Sequence, residues 1–290
     1  MNGLGVPLVT PFDGDGAVDH DAIAELATWV TDAGADFLVP CGSNSEAELL
    51  TAGERAAVVE TVVDAVPSEV PVVAGTGSLG IRETLEATER AADAGADAAL
   101  VVTPFYYDHG QSDLETYYRE VADASPLPVY LYSVPAYAGV ALDPETVERL
   151  AAHPNVAGMK DSAGDLAAFQ RTREYTADEE FELFVGSGGV FAAALDAGAD
   201  GGVLAVSNVV PERAAEVRDL HAAGKDEAAR DVNRRVLDLN HAVTAEYGVP
   251  GLKAAMRSRD LPAGGVRSPH RPVGDDVAAE LGVLVDDALP

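Results

Sequence analysis

Short, nearly continuous apolar runs recur along the chain at 5–9, 37–40, 71–74, 98–103, 129–132, 156–160, 181–185 and 202–206. Runs that lack polar alternation read as strands buried on both faces, as in parallel sheets. Between them, apolar residues return at helical spacing, for example over 19–32, 52–66, 81–94 and 144–152. Eight strands alternating with helices predict an α/β fold, a (β/α)8 TIM barrel over residues 1–210. Helical spacing then continues over 211–290 with few strand signals, predicting additional C-terminal helices packed on the barrel. A doubly wound open sheet is the alternative, but no glycine-rich dinucleotide loop follows the first run.

An internal echo supports the alternation. Asp-Ala-Gly-Ala-Asp occurs at 32–36, 93–97 and 196–200, each time after an amphipathic stretch and before an apolar run. The glycine can end a helix in the left-handed conformation, so each copy predicts an α-to-β turn.

Barrel active sites gather at the C-terminal ends of the strands. Reading those ends in order gives Cys41-Gly42-Ser43-Asn44-Ser45-Glu46, Thr103-Pro104-Phe105-Tyr106-Tyr107, Tyr132-Ser133-Val134-Pro135, Lys160, Gly186-Ser187-Gly188-Gly189 and Val206-Ser207-Asn208. Lys160 stands out because the chain has only three lysines, the others being Lys225 and Lys253, against sixteen arginines. Lysine can lose its proton when desolvated, and arginine cannot. A neutral lysine can attack a ketone to form a Schiff base, and a tyrosine on the adjacent strand can carry the proton. The Gly42–Ser45 stretch offers backbone N–H groups and hydroxyls at a helix start, a cradle for a carboxylate. These parts together suit a 2-oxo acid. Each alone fits a plainer reading: a surface lysine, a tyrosine belt over the core, a glycine turn. Their placement on successive strand ends favours chemistry.

Composition narrows the setting. Acidic residues outnumber basic ones 49 to 19, a net charge of −30. The acids are spread along a chain that is 47% hydrophobic, unlike a disordered acidic tail. A surface for basic partners is one reading; a solvated acidic surface suited to high salt is the better one. No cluster of cations suits nucleic acid, and no apolar run approaches the ~18 residues that cross a bilayer. The N-terminus lacks the pattern of a signal peptide, and a single cysteine, Cys41, excludes an internal disulfide or a cysteine metal cluster. A cytoplasmic protein without metal is expected.

The motifs Gly42-Ser43-Asn44-Ser45-Glu46, Val102-Thr103-Pro104-Phe105-Tyr106, Tyr132-Ser133-Val134-Pro135 and Gly158-Met159-Lys160-Asp161-Ser162 resemble the dihydrodipicolinate synthase / N-acetylneuraminate lyase superfamily of class I pyruvate-dependent aldolases. The resemblance covers about residues 3 to 260. It implies that Lys160 is the Schiff-base lysine and Tyr132 the proton shuttle. It also implies that Ser43 and Asn44 bind the pyruvyl carboxylate, helped by the backbone at Leu204. Tyr106 would reach a neighbouring subunit's site in a homotetramer, a dimer of dimers. No cofactor is implied, because the iminium is itself the electron sink.

Departures from the family pattern bear on substrate. Tyr137 stands where dihydrodipicolinate synthases carry an arginine for a second carboxylate, and the loop from Gly186 lacks the acids that neuraminate lyases use. Asn44 and Ser45 replace a threonine and a glycine of the usual Gly-Thr-Thr-Gly-Glu. The run 206–212 is similar to the Gly-Ser-Asn-x-x-Pro-Glu of 2-keto-3-deoxygluconate aldolases. The expectation is therefore cleavage of a 2-keto-3-deoxy sugar acid to pyruvate and an aldehyde, whose hydroxyls Ser207 and Tyr137 would bind. His109, Arg119 and Lys253 are candidate contacts for a distal phosphate. The alternatives are a dihydrodipicolinate synthase-type condensation, or a sugar-acid-binding barrel that has lost catalysis.

Overall fold

The structure is a computed structural model that describes residues 1–289. Eight parallel strands are β1 (Gly3–Val6), β2 (Phe37–Leu38), β3 (Val73–Gly75), β4 (Ala98–Val102), β5 (Val129–Ser133), β6 (Val156–Asp161), β7 (Glu182–Val185) and β8 (Gly201–Val203). They pair in the order β2-β1-β8-β7-β6-β5-β4-β3. A parallel bridge from Leu38 to Val72 joins the two ends, and the Leu38 N–H donates to the Pro71 carbonyl. The sheet thus closes into the expected (β/α)8 barrel.

The strand ends shift for local reasons. β1 stops at Val6 because Pro7 has no N–H for the ladder. β8 stops at Val203 because Ala205–Asn208 winds into a 3-10 turn. Helix starts follow their caps. Asp19 accepts from the Ala22 N–H before His20–Asp32, Thr51 and Glu54 form a capping box on Ala52–Ala65, and Pro144 opens Pro144–Ala151.

The pentapeptide echo has two structural jobs. Its glycines, Gly34, Gly95 and Gly198, all take positive φ of 104, 90 and 91°, ending each helix. Its last aspartates then reach the preceding strand. Asp36, Asp97 and Asp200 accept from the backbone N–H of Leu4, Val72 and Leu183 at 2.7, 2.8 and 2.7 Å. Each repeat both stops a helix and ties two strands at the N-terminal rim.

Two apolar layers hold the fold. An outer cluster, including Leu4, Ile23, Leu131 and Leu183, lies between strands and helices. An inner cluster fills the barrel with Phe37, Leu100, Tyr130, Tyr132 and Phe184, and the Phe37 and Phe184 rings meet edge-on at 5.2 Å. Beyond the barrel run helices Pro211–Ala222, Asp226–Arg235, Leu237–His241, Gly248–Arg257 and Asp275–Ala288. Arg213, buried, donates to the carbonyls of Ala288 and Leu289 and fixes the last helix. Among the described residues, no helix is long and apolar enough to cross a membrane.

Candidate active site

Parallel pairing of β5 with β6 sets Tyr132 directly across from Lys160. The Lys160 amine lies 4.3 Å from the centroid of the Tyr132 ring. Both side chains are enclosed at the C-terminal end of the barrel, Lys160 being 6% exposed. Burial works to raise the Tyr132 phenol. The facing Lys160 charge, with hydrogen bonds involving Ser43, Ser162 and Lys160, more than offsets it and brings the phenol below its ordinary range. A phenol and an amine so placed can share one proton.

The loop after β2 supplies the next wall. Ser43–Ser45 forms a 3-10 turn bracketed by Cys41 and Glu46, both with positive φ (58 and 54°). Such backbone is sparsely populated for residues other than glycine and must be held in place. Glu46 does the holding. Its buried carboxylate accepts from the Lys253 amine at 2.6 Å and the Arg267 N–H at 3.0 Å, and meets His270 Nδ1 at 3.0 Å. The Ser43 hydroxyl, thus positioned, lies 3.5 Å from the Tyr132 oxygen. Asn44 faces the same space, whereas Ser45 is buried and donates to the Leu8 carbonyl, away from it.

A cavity of about 470 Å³ opens over Lys160. Of the residues singled out in the sequence, it brings together Lys160, Tyr132, Ser43, Asn44, Tyr137 and Gly186. Gly186 is there by necessity: a Cβ would fall 1.9 Å from the Ser162 hydroxyl oxygen and 3.1 Å from Lys160 Cε. A second cavity, of about 570 Å³, shares Ser43, Tyr132, Val134 and Tyr137 with the first and extends to Leu49, Phe105, Val249 and His270.

Other singled-out residues lie elsewhere. Leu204 packs its side chain in the outer cluster and its N–H donates to the Gly5 carbonyl, while Val203 and Ala205 on either side of it line the cavity. Ser207 is wholly buried in the turn after β8, and its hydroxyl has no partner among the described residues. Tyr106, with φ of 84°, is 83% exposed and stacks edge-on with Tyr107 rather than entering its own barrel. Lys253 is no phosphate contact: it is buried against Glu46 and the carbonyls of Thr10 and Gly265, and desolvation lowers it to about 8 although Glu46 pulls the other way. Arg119 is tied to Glu115 and the Arg149 carbonyl, and neither it nor His109 lines the cavity.

The cavity wall also carries Ser162 and Ser187, which the sequence motifs contained without a role, and Asn240 and Thr244, which sequence reasoning missed. The first two were legible as hydroxyls one or two residues beyond Lys160 and Gly186. Asn240 and Thr244 come from the C-terminal helices, where polar residues look like a solvated face.

The model of the dihydrodipicolinate synthetase family matches residues 1–288. The chain is 37% identical over 281 residues to a 4-hydroxy-tetrahydrodipicolinate synthase of Methanothrix thermoacetophila, covering 97% of this chain and 95% of that one. It is 40% identical over 281 residues to an uncharacterized DapA-like lyase of Halobacterium salinarum, covering 97% and 92%. Among solved structures, a dihydrodipicolinate synthase from Acinetobacter baumannii complexed with pyruvate superposes with a TM-score of 0.95 at 31% identity, covering 99% of this chain and 98% of that one.

Proposed function

The chain belongs to the dihydrodipicolinate synthetase family and is a class I pyruvate aldolase, and from that premise we propose that it joins pyruvate to an aldehyde through an imine on Lys160. The Lys160 amine adds to the pyruvate C2 carbonyl, and loss of water leaves an iminium. The iminium accepts the electron pair freed when the Tyr132 phenolate takes up a C3 proton, giving an enamine and the neutral phenol. The enamine carbon then attacks the aldehyde carbon, and the Tyr132 phenol donates its proton to the new alkoxide. Water releases the 4-hydroxy-2-oxo acid and restores the amine. Ser43 and Asn44 hold the pyruvyl carboxylate.

The observation that carries this reading is the facing pair Lys160 and Tyr132, with the phenol below its ordinary range. The names of the relatives support condensation over the cleavage of 2-keto-3-deoxygluconate expected from the motifs. One feature still favours a sugar-acid substrate: Tyr137 replaces the carboxylate-binding arginine, and Lys160 is the only lysine or arginine on the cavity wall among the described residues. Family resemblance supports a homotetramer, a dimer of dimers, and the exposure of Tyr106 supports its turning toward a neighbouring copy there.

Incubating the protein with pyruvate and either aspartate semialdehyde or glyceraldehyde, and identifying products by mass, tests the reading. A product combining pyruvate with one aldehyde is expected. Turnover of 2-keto-3-deoxygluconate without condensation in either mixture would contradict it.

A further inference from the structure

Once pyruvate is bound to Lys160 and its carboxylate lies on Ser43 and Asn44, the wall left for the acceptor is neutral. It carries Tyr137, Ser162, Ser187, Asn240 and Thr244, and no carboxylate among the described residues. Such a surface matches hydroxyl groups. A second carboxylate would lose its hydration there without a counter-charge.

Asn240 is the unusual member. It is 9% exposed, and its Oδ1 is sealed against the Gly188 backbone without a hydrogen-bond partner among the described residues, which leaves the Nδ2 end of the amide to face the cavity. The polar groups of a largely buried side chain are nearly always satisfied, so an amide whose Nδ2 end looks into a cavity is placed to donate to a ligand there. The loop after β7 makes room for it. A Cβ at Gly188 would fall 2.5 Å from Asn240 Oδ1, so only glycine at that position admits the amide. The backbone also departs from the α-helix at this point. After Leu237–His241 the chain makes a π-turn over Ala242–Glu246, with the Tyr247 N–H reaching the Ala242 carbonyl at 2.9 Å. Turns of this kind concentrate at functional sites. This one carries Thr244 and Ala245 to the cavity wall, and the Thr244 hydroxyl donates to the Asn240 carbonyl at 2.6 Å, keeping its lone pairs free.

We propose that Asn240 and Thr244 determine acceptor specificity by binding the hydroxyl groups of a small, uncharged hydroxyaldehyde. A hydroxyl can accept from the Asn240 Nδ2 and donate to the free lone pairs of Thr244, whereas a carboxylate only accepts and would find no cation on this wall apart from Lys160. The proposal rests on the imine reading of Lys160 and names the other half of that reaction.

The test compares kcat/KM for condensation of pyruvate with glyceraldehyde and with propanal, which has the same carbon chain without hydroxyls. The unmodified enzyme should favour glyceraldehyde, and Asn240→Ala should lower that ratio about 10- to 100-fold, as removal of a hydrogen-bonding group from a site built for it does. A wild-type ratio near one overturns the proposal, as does an Asn240→Ala enzyme that loses both aldehydes equally. If Asn240→Ala fails to fold, Thr244→Val carries the test, and an unchanged ratio there overturns it. Borohydride trapping of pyruvate on the wild type, run alongside, separates the premises: trapping without discrimination sinks only the acceptor proposal, and no trapping sinks the functional reading with it.

Discussion

Lys160 and Tyr132 are register partners on neighbouring strands, and the lysine amine stands over the tyrosine ring at 4.3 Å. The barrel therefore brings an amine and a phenol together from one strand pair, with both held by sheet register rather than by a loop. That rigidity is what a proton transfer needs, because misplacement by about 1 Å can cost ~10²-fold in rate.

Removing the Tyr132 hydroxyl tests the second member of the pair. Tyr132→Phe keeps the ring and its packing but deletes the proton carrier, so kcat should fall by ~10²–10⁴-fold. Imine formation with pyruvate should survive, since the amine is untouched. Near wild-type turnover would move the proton role to another group.

Both members were legible in the sequence, and the reasons are specific. Lys160 ends an apolar run in a chain that otherwise prefers arginine, and Tyr132 ends the run before it. The Asp-Ala-Gly-Ala-Asp echo marked three turns, although not the reach of Asp36, Asp97 and Asp200 to the preceding strands. What stayed hidden depends on distant contacts. Glu46 and Lys253 meet across 207 positions, and no spacing rule links them. Ser207 reads as a strand-end hydroxyl, yet a 3-10 turn after β8 buries it. Asn240 acquires its place only because Gly188, on the loop after β7, leaves space beside the barrel.

Gly186 should tolerate no side chain. Alanine there would put a methyl 1.9 Å from the Ser162 oxygen and 3.1 Å from Lys160 Cε. Gly186→Ala is expected to lower stability by about 1–3 kcal/mol, the usual cost of overpacking, and to slow imine formation at least tenfold. Denaturant titration and single-turnover trapping would measure the two effects. An enzyme with unaltered trapping would show that the Lys160 side chain has freedom the packing denies it.

Acid stability should depend on one carboxylate far from the chemistry. A hydrogen bond from Arg267, helped by Thr51 and opposed by desolvation, holds Glu54 at about 2, well below its usual 4.5. As pH falls through 4.5 the unfolded chain takes up this proton first. The stability that Glu54 adds is therefore complete above about 4.5 and lost progressively toward 2. Denaturation midpoints should fall less steeply across that window in Glu54→Gln than in wild type. Parallel curves would remove Glu54 from the account.

The acidic surface predicts a response to salt. A net charge of −30 repels itself in the folded state, and screening shortens its range to about 3 Å at 1 M. Melting temperature and activity should both rise between ~0.1 M and molar salt. A flat response would mean that the acids are balanced locally by their ion pairs.

The most direct measurement concerns the amine itself. Incubation with pyruvate followed by borohydride reduction, with peptide mapping by mass, should place a single reduced pyruvyl group on Lys160. Lys160→Arg should abolish both label and turnover, because arginine stays protonated. Lys253 is the internal control, a lysine lowered to about 8 by burial but closed in by Glu46 and two carbonyls. Label on Lys253 or Lys225, or condensation that continues in Lys160→Arg, would contradict the account.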